Sequence, residues 1–274
     1  MKRLVAAIRL ALRLLFLAVA LLLLVLSWLL PLLVKPFSAR AASALRVHQM
    51  GVWARASLAI MGIRVTQEGP SPKAPFLLVS NHLSYLDIMV LWSRADAYFL
   101  AKSELGSWFL LGPLIRAAGT LFINRNRRAG VVPAIAAVKD KLALGNGVIF
   151  FPEGTSSSGG SLLPFKSSLF AVAADTDLPV HVACLHYATT SPDHPVELEV
   201  AWWGDMAFGG HLLNLLGVPR VNVRVRFAAE PVRHGDRKQL AAETQKCMEE
   251  LFEPMHDYSR VEPQEEGSLP LAPT

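Results

Sequence analysis

His82 and Asp87 are the first pair in this 274-residue chain whose types and spacing could do acid–base chemistry. They lie in Val79-Ser-Asn-His-Leu-Ser-Tyr-Leu-Asp87. The apolar run Pro75–Ser80 reads as a short buried strand that stops at Asn81-His82, and a helical pattern begins near Ser84. α/β proteins place their chemistry at the carboxyl ends of strands. Asp87 falls about one turn into the helix, close enough to face back toward the imidazole. A histidine held by a carboxylate is a ready general base. The same residues admit a plainer reading, since Ser84-x-x-Asp87 has the spacing of a capping box and would leave His82 an ordinary loop residue.

Two later stretches repeat the pattern. Gly119-Thr-Leu-Phe-Ile-Asn-Arg125 ends a strand in an arginine, followed by Asn126, Arg127 and Arg128. Such a run is either a solvated charged turn or a fork for a phosphate. Gly147–Phe151 reads as another buried strand. Pro152 and Gly154 then enforce a tight turn that presents Glu153 and exposes backbone N–H groups. If these strands are parallel, all three turns gather on one edge of a sheet.

The elements that must hold them alternate along the chain. Ile63–Thr66, Pro75–Ser80, Ala97–Leu100, Leu121–Ile123, Gly147–Phe151, Pro179–Tyr187, Val196–Trp202 and Val221–Phe227 run apolar or alternate like strands. Helical patterns follow Ser84 and cover Leu105–Ala117 (interrupted by Gly112-Pro113), Ala129–Leu144 and Asp236–Leu251, with a short apolar helix at Gly209–Leu216. This order predicts one α/β domain over residues 62–258, built on a mixed, largely parallel sheet flanked by helices. Residues 259–274, rich in Pro and Glu without aromatics, read as a disordered tail.

Residues 1–61 have another character. No charge lies between Arg13 and Lys35, and Leu14–Val34 would span about 32 Å as a helix, enough for a bilayer core. A cleaved signal peptide is the rival reading. The apolar run is longer than the usual h-region and the small residues at Ala39–Ala42 lie beyond Lys35 and Pro36, which favours an uncleaved anchor. Residues 37–61 then place Ala42, Leu45, Val52, Ala56, Ala59 and Ile60 on one helical face, either packed on the domain or lying in the membrane interface with arginines toward phosphates.

Composition agrees with a membrane-associated chain. The residues are 52% hydrophobic, mean hydropathy is +0.35, net charge is +5 and pI is near 9.4. A basic surface suits anionic lipid or phosphate-bearing substrates as well as nucleic acid. The two cysteines, Cys184 and Cys247, exclude a disulfide framework and a cysteine-rich zinc site. Trp202-Trp203 reads as core packing or a membrane contact, His211, His181 and His186 as non-catalytic, and Ser156–Ser158 lacks the Gly-x-Ser-x-Gly frame of a hydrolase elbow.

The blocks Asn81-His82-x4-Asp87, Lys102-Ser-Glu104-Leu105, Phe122-Ile-Asn-Arg125, Phe151-Pro-Glu-Gly-Thr155 and Leu178-Pro-Val180, in that order, resemble the glycerolipid acyltransferases, in particular the bacterial 1-acyl-sn-glycerol-3-phosphate acyltransferases. The resemblance implies transfer of a fatty acyl group from acyl-CoA or acyl-carrier protein to the sn-2 hydroxyl of lysophosphatidic acid. His82 would be the general base and Asp87 its orienting partner. Arg125, helped by Lys102, would bind the acceptor phosphate. Glu153, Gly154 and Thr155 would shape the acceptor site, and Leu178–Val180 would support the donor side or the core. The resemblance further implies no cofactor, no metal, no nucleic-acid partner, and a place on the bacterial inner membrane with the domain facing the cytoplasm. One departure stands out: many family members carry an arginine directly after Glu-Gly-Thr, where this chain has Ser156. Lys166, Arg127 or Arg128 would compensate, or the acceptor would be another lysolipid, such as lyso-ornithine lipid.

Overall fold

The computed structural model describes residues 2–108, 111–123, 131–176 and 178–255. Two apolar helices open the chain, α1 (Lys2–Ser27) and α2 (Leu29–Val34), with a break at Trp28. α3 (Ala39–Ile60) follows, its first turn capped by the Ser38 hydroxyl, which accepts from Ala41 N–H. Next come β1 (Ile63–Glu68), β2 (Phe76–Ser80), α4 (Leu86–Trp92), β3 (Ala97–Lys102), α5 (Leu111–Ala117), β4 (Leu121–Ile123), α6 (Val131–Ala143) and β5 (Gly147–Phe150). The remainder is α7 (Ala171–Thr176), β6 (Val180–Thr189), α8 (Val196–Glu199), α9 (Phe208–Gly217), β7 (Val221–Phe227) and α10 (Arg237–Leu251).

The strands form one sheet in the order β1-β7-β6-β2-β5-β3-β4. β6, β2, β5, β3 and β4 run parallel, while β7 is antiparallel to β6 and carries β1 parallel to itself. The sheet is therefore mixed and largely parallel. β2 is buried at every position because it is covered on both faces. Its Phe76 and Leu78 face a core shared with α3, α4 and α9, and Leu77 and Val79 face a core shared with α6, α7 and α10. A strand fully buried this way has its loops free only at its two ends. β2, β5, β3 and β4 accordingly deliver their C-terminal turns to one edge.

Three expectations need correction. Val196–Trp202 is not a strand. Of Val196, Leu198 and Val200, which alternation would put on one face, Leu198 is exposed while Val196 and Val200 are buried, an i, i+4 spacing set by a helical turn after Pro195. The helix expected over Leu105–Ala117 is a 3₁₀ turn at Ser103–Ser107 followed by α5. In α3 the buried stripe is Ala42, Ser43, Val47, Met50, Gly51, Ala54, Ser57 and Leu58, whereas Val52, Ala56 and Ala59 are exposed. Small residues on the buried stripe let α3 lie close on α4. The tail at 259–274 lies outside the described residues.

The N-terminal segment Leu4–Val34 is long and apolar enough to cross a membrane. Its inner side packs on the domain through Leu10, Leu17, Leu21, Leu24 and Trp28. Arg13 donates to the carbonyls of Leu216, Val218 and Pro219, and Arg9 to that of Gly217, so α1 is fastened to the C-terminal end of α9. Its outer side shows a continuous file of exposed Leu, Val, Ile and Phe.

Candidate active site

β2 ends at Ser80, and the chain must turn away sharply at the next two residues. Asn81 makes that possible. Its buried carboxamide accepts from Leu185 N–H at 2.7 Å and donates to Leu185 C=O at 3.0 Å, so the side chain continues the ladder with β6 that the backbone has abandoned. The released backbone carries His82 to the sheet edge. Its imidazole stacks on Phe151 with ring centroids 4.0 Å apart and planes 9° apart, and Phe151 in turn stacks on Phe99. The ring is thus fixed from below by the aromatic core.

His82 Nδ1 lies 2.8 Å from Asp87 Oδ2. Asp87 is fully buried, and the same oxygen accepts from Leu83 N–H at 2.7 Å and Ser84 N–H at 2.9 Å. Oδ1 accepts from the buried Tyr187 hydroxyl at 2.6 Å. Four donors around one carboxylate leave it no role but acceptor. Nδ1 therefore carries a hydrogen, and in the neutral ring the lone pair is on Nε2. Among the described residues Nε2 has no hydrogen-bond partner, and the side chain retains 21% exposure. Only one half of the capping box forms. Asp87 returns to Ser84 N–H as a capping residue does, while the Ser84 hydroxyl has no partner among the described residues and the imidazole takes the remaining space.

Glu153 sits 2% exposed beneath the same loop. Its Oε1 accepts from His82 N–H at 2.8 Å and its Oε2 from Leu163 N–H at 2.9 Å. Burial pushes its carboxyl up to about 7, against the opposing pull of these two bonds, with the Asp87 charge adding to the rise. Gly154 has φ +78°, the left-handed region that lets the chain fold back after Glu153. Ser157 N–H then donates to His82 C=O at 2.9 Å. Glu153 and the turn after it therefore brace His82 on both sides of its backbone. They support the imidazole rather than face outward.

A second support comes from α9. Tyr85, inside the His82–Asp87 loop, has its hydroxyl 3.1 Å from His211 Nδ1, and His211 Nε2 lies 2.9 Å from Ala201 C=O. A carbonyl only accepts, so Nε2 carries the hydrogen and Tyr85 O–H donates to Nδ1. Burial holds His211 below its ordinary pKa and so neutral. Trp202 N–H donates to Leu83 C=O at 2.8 Å, making a second tie. Tyr85, Trp108, Trp202 and Phe208 pack edge to face between these ties, at centroid distances of 5.0 to 6.2 Å.

The other expected site residues fall in different places. Lys102 is exposed at the end of β3, on the same edge as His82, and Thr155 is exposed in the turn after Gly154. Arg125, with Asn126, Arg127 and Arg128, lies outside the described residues. Val180, of the Leu178–Val180 block, starts β6 at the opposite edge and is buried in the core with Leu77, so of the two sides considered for that block it belongs to the core. Sequence reading missed Tyr187, whose only signal was a tyrosine interrupting an apolar strand. It also missed the Tyr85–His211 bond, which joins residues 126 positions apart.

Comparison with known proteins agrees with this geometry. The family model Acyltransferase matches residues 62–186, a span that contains His82, Asp87, Glu153 and the blocks between them. The lyso-ornithine lipid O-acyltransferase of Rhodobacter capsulatus is 34% identical over 195 residues, which cover 69% of this chain and 70% of that protein. The chain belongs to the glycerolipid acyltransferase family. Its relatives carry two names, since the 1-acyl-sn-glycerol-3-phosphate acyltransferase of Neisseria meningitidis is 35% identical over 190 residues, covering 68% and 73%. The fold is that of the 1-acyl-sn-glycerophosphate acyltransferase PlsC from Thermotoga maritima, matched with a TM-score of 0.55 over 84% of this chain and 95% of that one, at 23% identity. As an acyltransferase the chain is an enzyme of lipid chemistry, with an imidazole and its carboxylate at the C-terminal edge of the sheet.

Proposed function

We propose that this acyltransferase moves a fatty acyl group from a thioester donor, acyl-CoA or acyl-carrier protein, to the sn-2 hydroxyl of 1-acyl-sn-glycerol-3-phosphate, giving phosphatidic acid. The observation that carries the reading is the buried Asp87 carboxylate, whose acceptor role holds the imidazole by Nδ1–H and turns His82 Nε2 to the open sheet edge. An alcohol is a weak nucleophile at neutral pH, and a positioned base contributes about 10²–10⁴ in rate. The acceptor O–H proton passes to Nε2 as the oxygen attacks the thioester carbonyl. The tetrahedral intermediate then expels the thiolate, which takes the proton back from the imidazolium. The growing imidazolium charge faces the Asp87 carboxylate, so the stabilisation is greatest in the transition state. A thioester needs no nucleophilic serine, and a ternary complex suffices. Arg125 and the exposed Lys102 are proposed to hold the acceptor phosphate, with Thr155 lining its entrance.

The outward file of apolar side chains on α1 and α2 supports a membrane location, because water would meet it at large cost. Since α1 is packed lengthwise on the domain, we place its outer side in the leaflet that holds the substrates. Both proposed donors are cytosolic, which sets the domain on the cytoplasmic side of the inner membrane.

A second acceptor, lyso-ornithine lipid, is favoured by Ser156, which leaves the Glu153-Gly154-Thr155 turn without the cation that the family resemblance leads one to expect, and by the names of the Rhodobacter capsulatus and Rhizobium meliloti relatives. Purified enzyme, an acyl-CoA and the two acceptors in matched micelles separate the readings. Under the first, kcat/KM is higher for lysophosphatidic acid, and Arg125→Ala raises its KM. A higher kcat/KM for lyso-ornithine lipid assigns the second.

A further inference from the structure

Beyond residue 61, four large apolar side chains stand exposed among the described residues: Trp108, Val132, Leu198 and Leu213. Two of them border one surface. Trp108 lies 6.2 Å from Phe208, the first residue of α9, and Leu213 lies on the same helix. From Phe208 to Gly217 α9 carries no charged side chain, and its one ionisable group, His211, is turned inward and held neutral. A Cβ added at Gly209 or Gly210 would meet nothing within 4 Å, so the helix is bare of protein neighbours at these positions. This surface adjoins α1, whose Arg9 and Arg13 grip the carbonyls at the end of α9 and whose Ile8, Leu12, Leu15 and Phe16 stand exposed beside that grip.

We propose that α9 and Trp108 form a second membrane-contacting surface, seated among the acyl chains of the leaflet that receives α1. The proposal rests on the membrane reading of α1 and extends it to an element reached only after the whole catalytic loop. An uncharged helix beginning at an aromatic and flanked by tryptophans suits the interface, where Trp settles between headgroups and chains. Leu198 marks the boundary, because its neighbours Glu197 and Glu199 are acidic and disfavour a place among acyl chains. The consequence for the reaction is positional. The Tyr85–His211 and Trp202–Leu83 bonds tie this surface to the loop that carries His82. Seating α9 in the leaflet therefore holds the imidazole at its boundary, and a lysolipid reaches it by lateral diffusion.

The test uses the full chain with Cys247→Ser, which leaves only the buried Cys184, and single cysteines at Leu15, Leu213 and Val132 labelled with an environment-sensitive fluorophore. Val132 is exposed on α6, across the sheet from α1 and α9, and serves as the reference. The proteins are reconstituted into vesicles of phosphatidylethanolamine and phosphatidylglycerol with spin-labelled acyl chains as quencher. Quenching at Leu15 and Leu213 several-fold above that at Val132 is the expected result. Quenching at Leu15 with Leu213 no different from Val132 overturns this proposal and leaves α1 in the membrane. No quenching at Leu15 removes the reading of α1 as well. As a functional check, Leu213→Asp should lower turnover of vesicle-borne acceptor and leave turnover of a short-chain, water-dispersed acceptor unchanged. Equal losses on both would show a folding defect and count against the proposal.

Discussion

Asp87→Asn isolates the charge of the carboxylate from its geometry. Three donors, His82 Nδ1–H, Leu83 N–H and Ser84 N–H, converge on Oδ2. The amide oxygen will occupy that position, because the NH₂ group would confront all three. The NH₂ then faces the Tyr187 hydroxyl, which can rotate from donor to acceptor. The fold and the histidine tautomer are retained, and only the negative charge is lost. That charge matters when the imidazole becomes imidazolium. Two unit charges about 4 Å apart interact by about 4 kcal/mol at an effective dielectric of 20. The loss falls on the transition state and not on substrate binding. Steady-state kinetics with an acyl-CoA and lysophosphatidic acid should show kcat lowered by about 10²–10³ with KM within a few-fold of wild type. Melting temperature should change little. In Asp87→Ala, by contrast, the buried Leu83 and Ser84 N–H groups lose their acceptor at about 1–3 kcal/mol each, so that variant should melt lower. If Asp87→Asn turned over within about five-fold of wild type, the carboxylate would not be stabilising an imidazolium and the base assignment would be wrong.

Two further outcomes follow from the supporting residues. Tyr187→Phe removes one charge-assisted bond of about 1.5–3 kcal/mol from Asp87, and kcat should fall by about ten-fold. In the Asp87→Asn background the same substitution should cost much less, and full additivity in the kinetic cycle would separate Tyr187 from the dyad. Glu153 gives a pH signature. Its carboxyl releases its proton near 4.5 unfolded and at about 7 folded, so between those values the folded state holds a proton the unfolded state has lost. Raising the pH through that window destabilises the fold by up to about 3 kcal/mol, a loss complete above 7 and absent below 4.5. Chemical unfolding of wild type and Glu153→Gln across this range should show the slope in the first and a shallower slope in the second. Parallel curves would mean the carboxyl titrates normally.

The site was legible where chemistry is local and illegible where it depends on distant packing. His82 and Asp87 could be paired from spacing alone because a strand end and a helix's first turn fix their separation. The parallel run of β2, β5, β3 and β4 could be anticipated from alternation, and with it the shared edge. Glu153 was located correctly by its turn, yet its direction was not. Whether a carboxylate faces outward or clamps a backbone depends on Leu163 and on His82's own N–H, which no spacing reveals. Tyr187 and His211 reach the loop only through β6 and α9, across long loops. Two of the three local misreadings share one physical source. Alternating Val-Glu-Leu-Glu-Val and the exposed side of α3 both satisfy a periodicity, but burial is decided by which neighbour covers the face.

The most direct measurement is acyl transfer by His82→Ala, followed with labelled acyl-CoA and a lysolipid acceptor over the pH range of wild-type activity. Nothing in the ring's surroundings requires it for folding beyond the stack on Phe151 and the bond to Asp87. The variant should therefore bind vesicles and melt cooperatively while transfer falls by at least about 10²-fold. Turnover near that of wild type, in a folded and membrane-bound variant, would contradict a histidine base at this edge of the sheet.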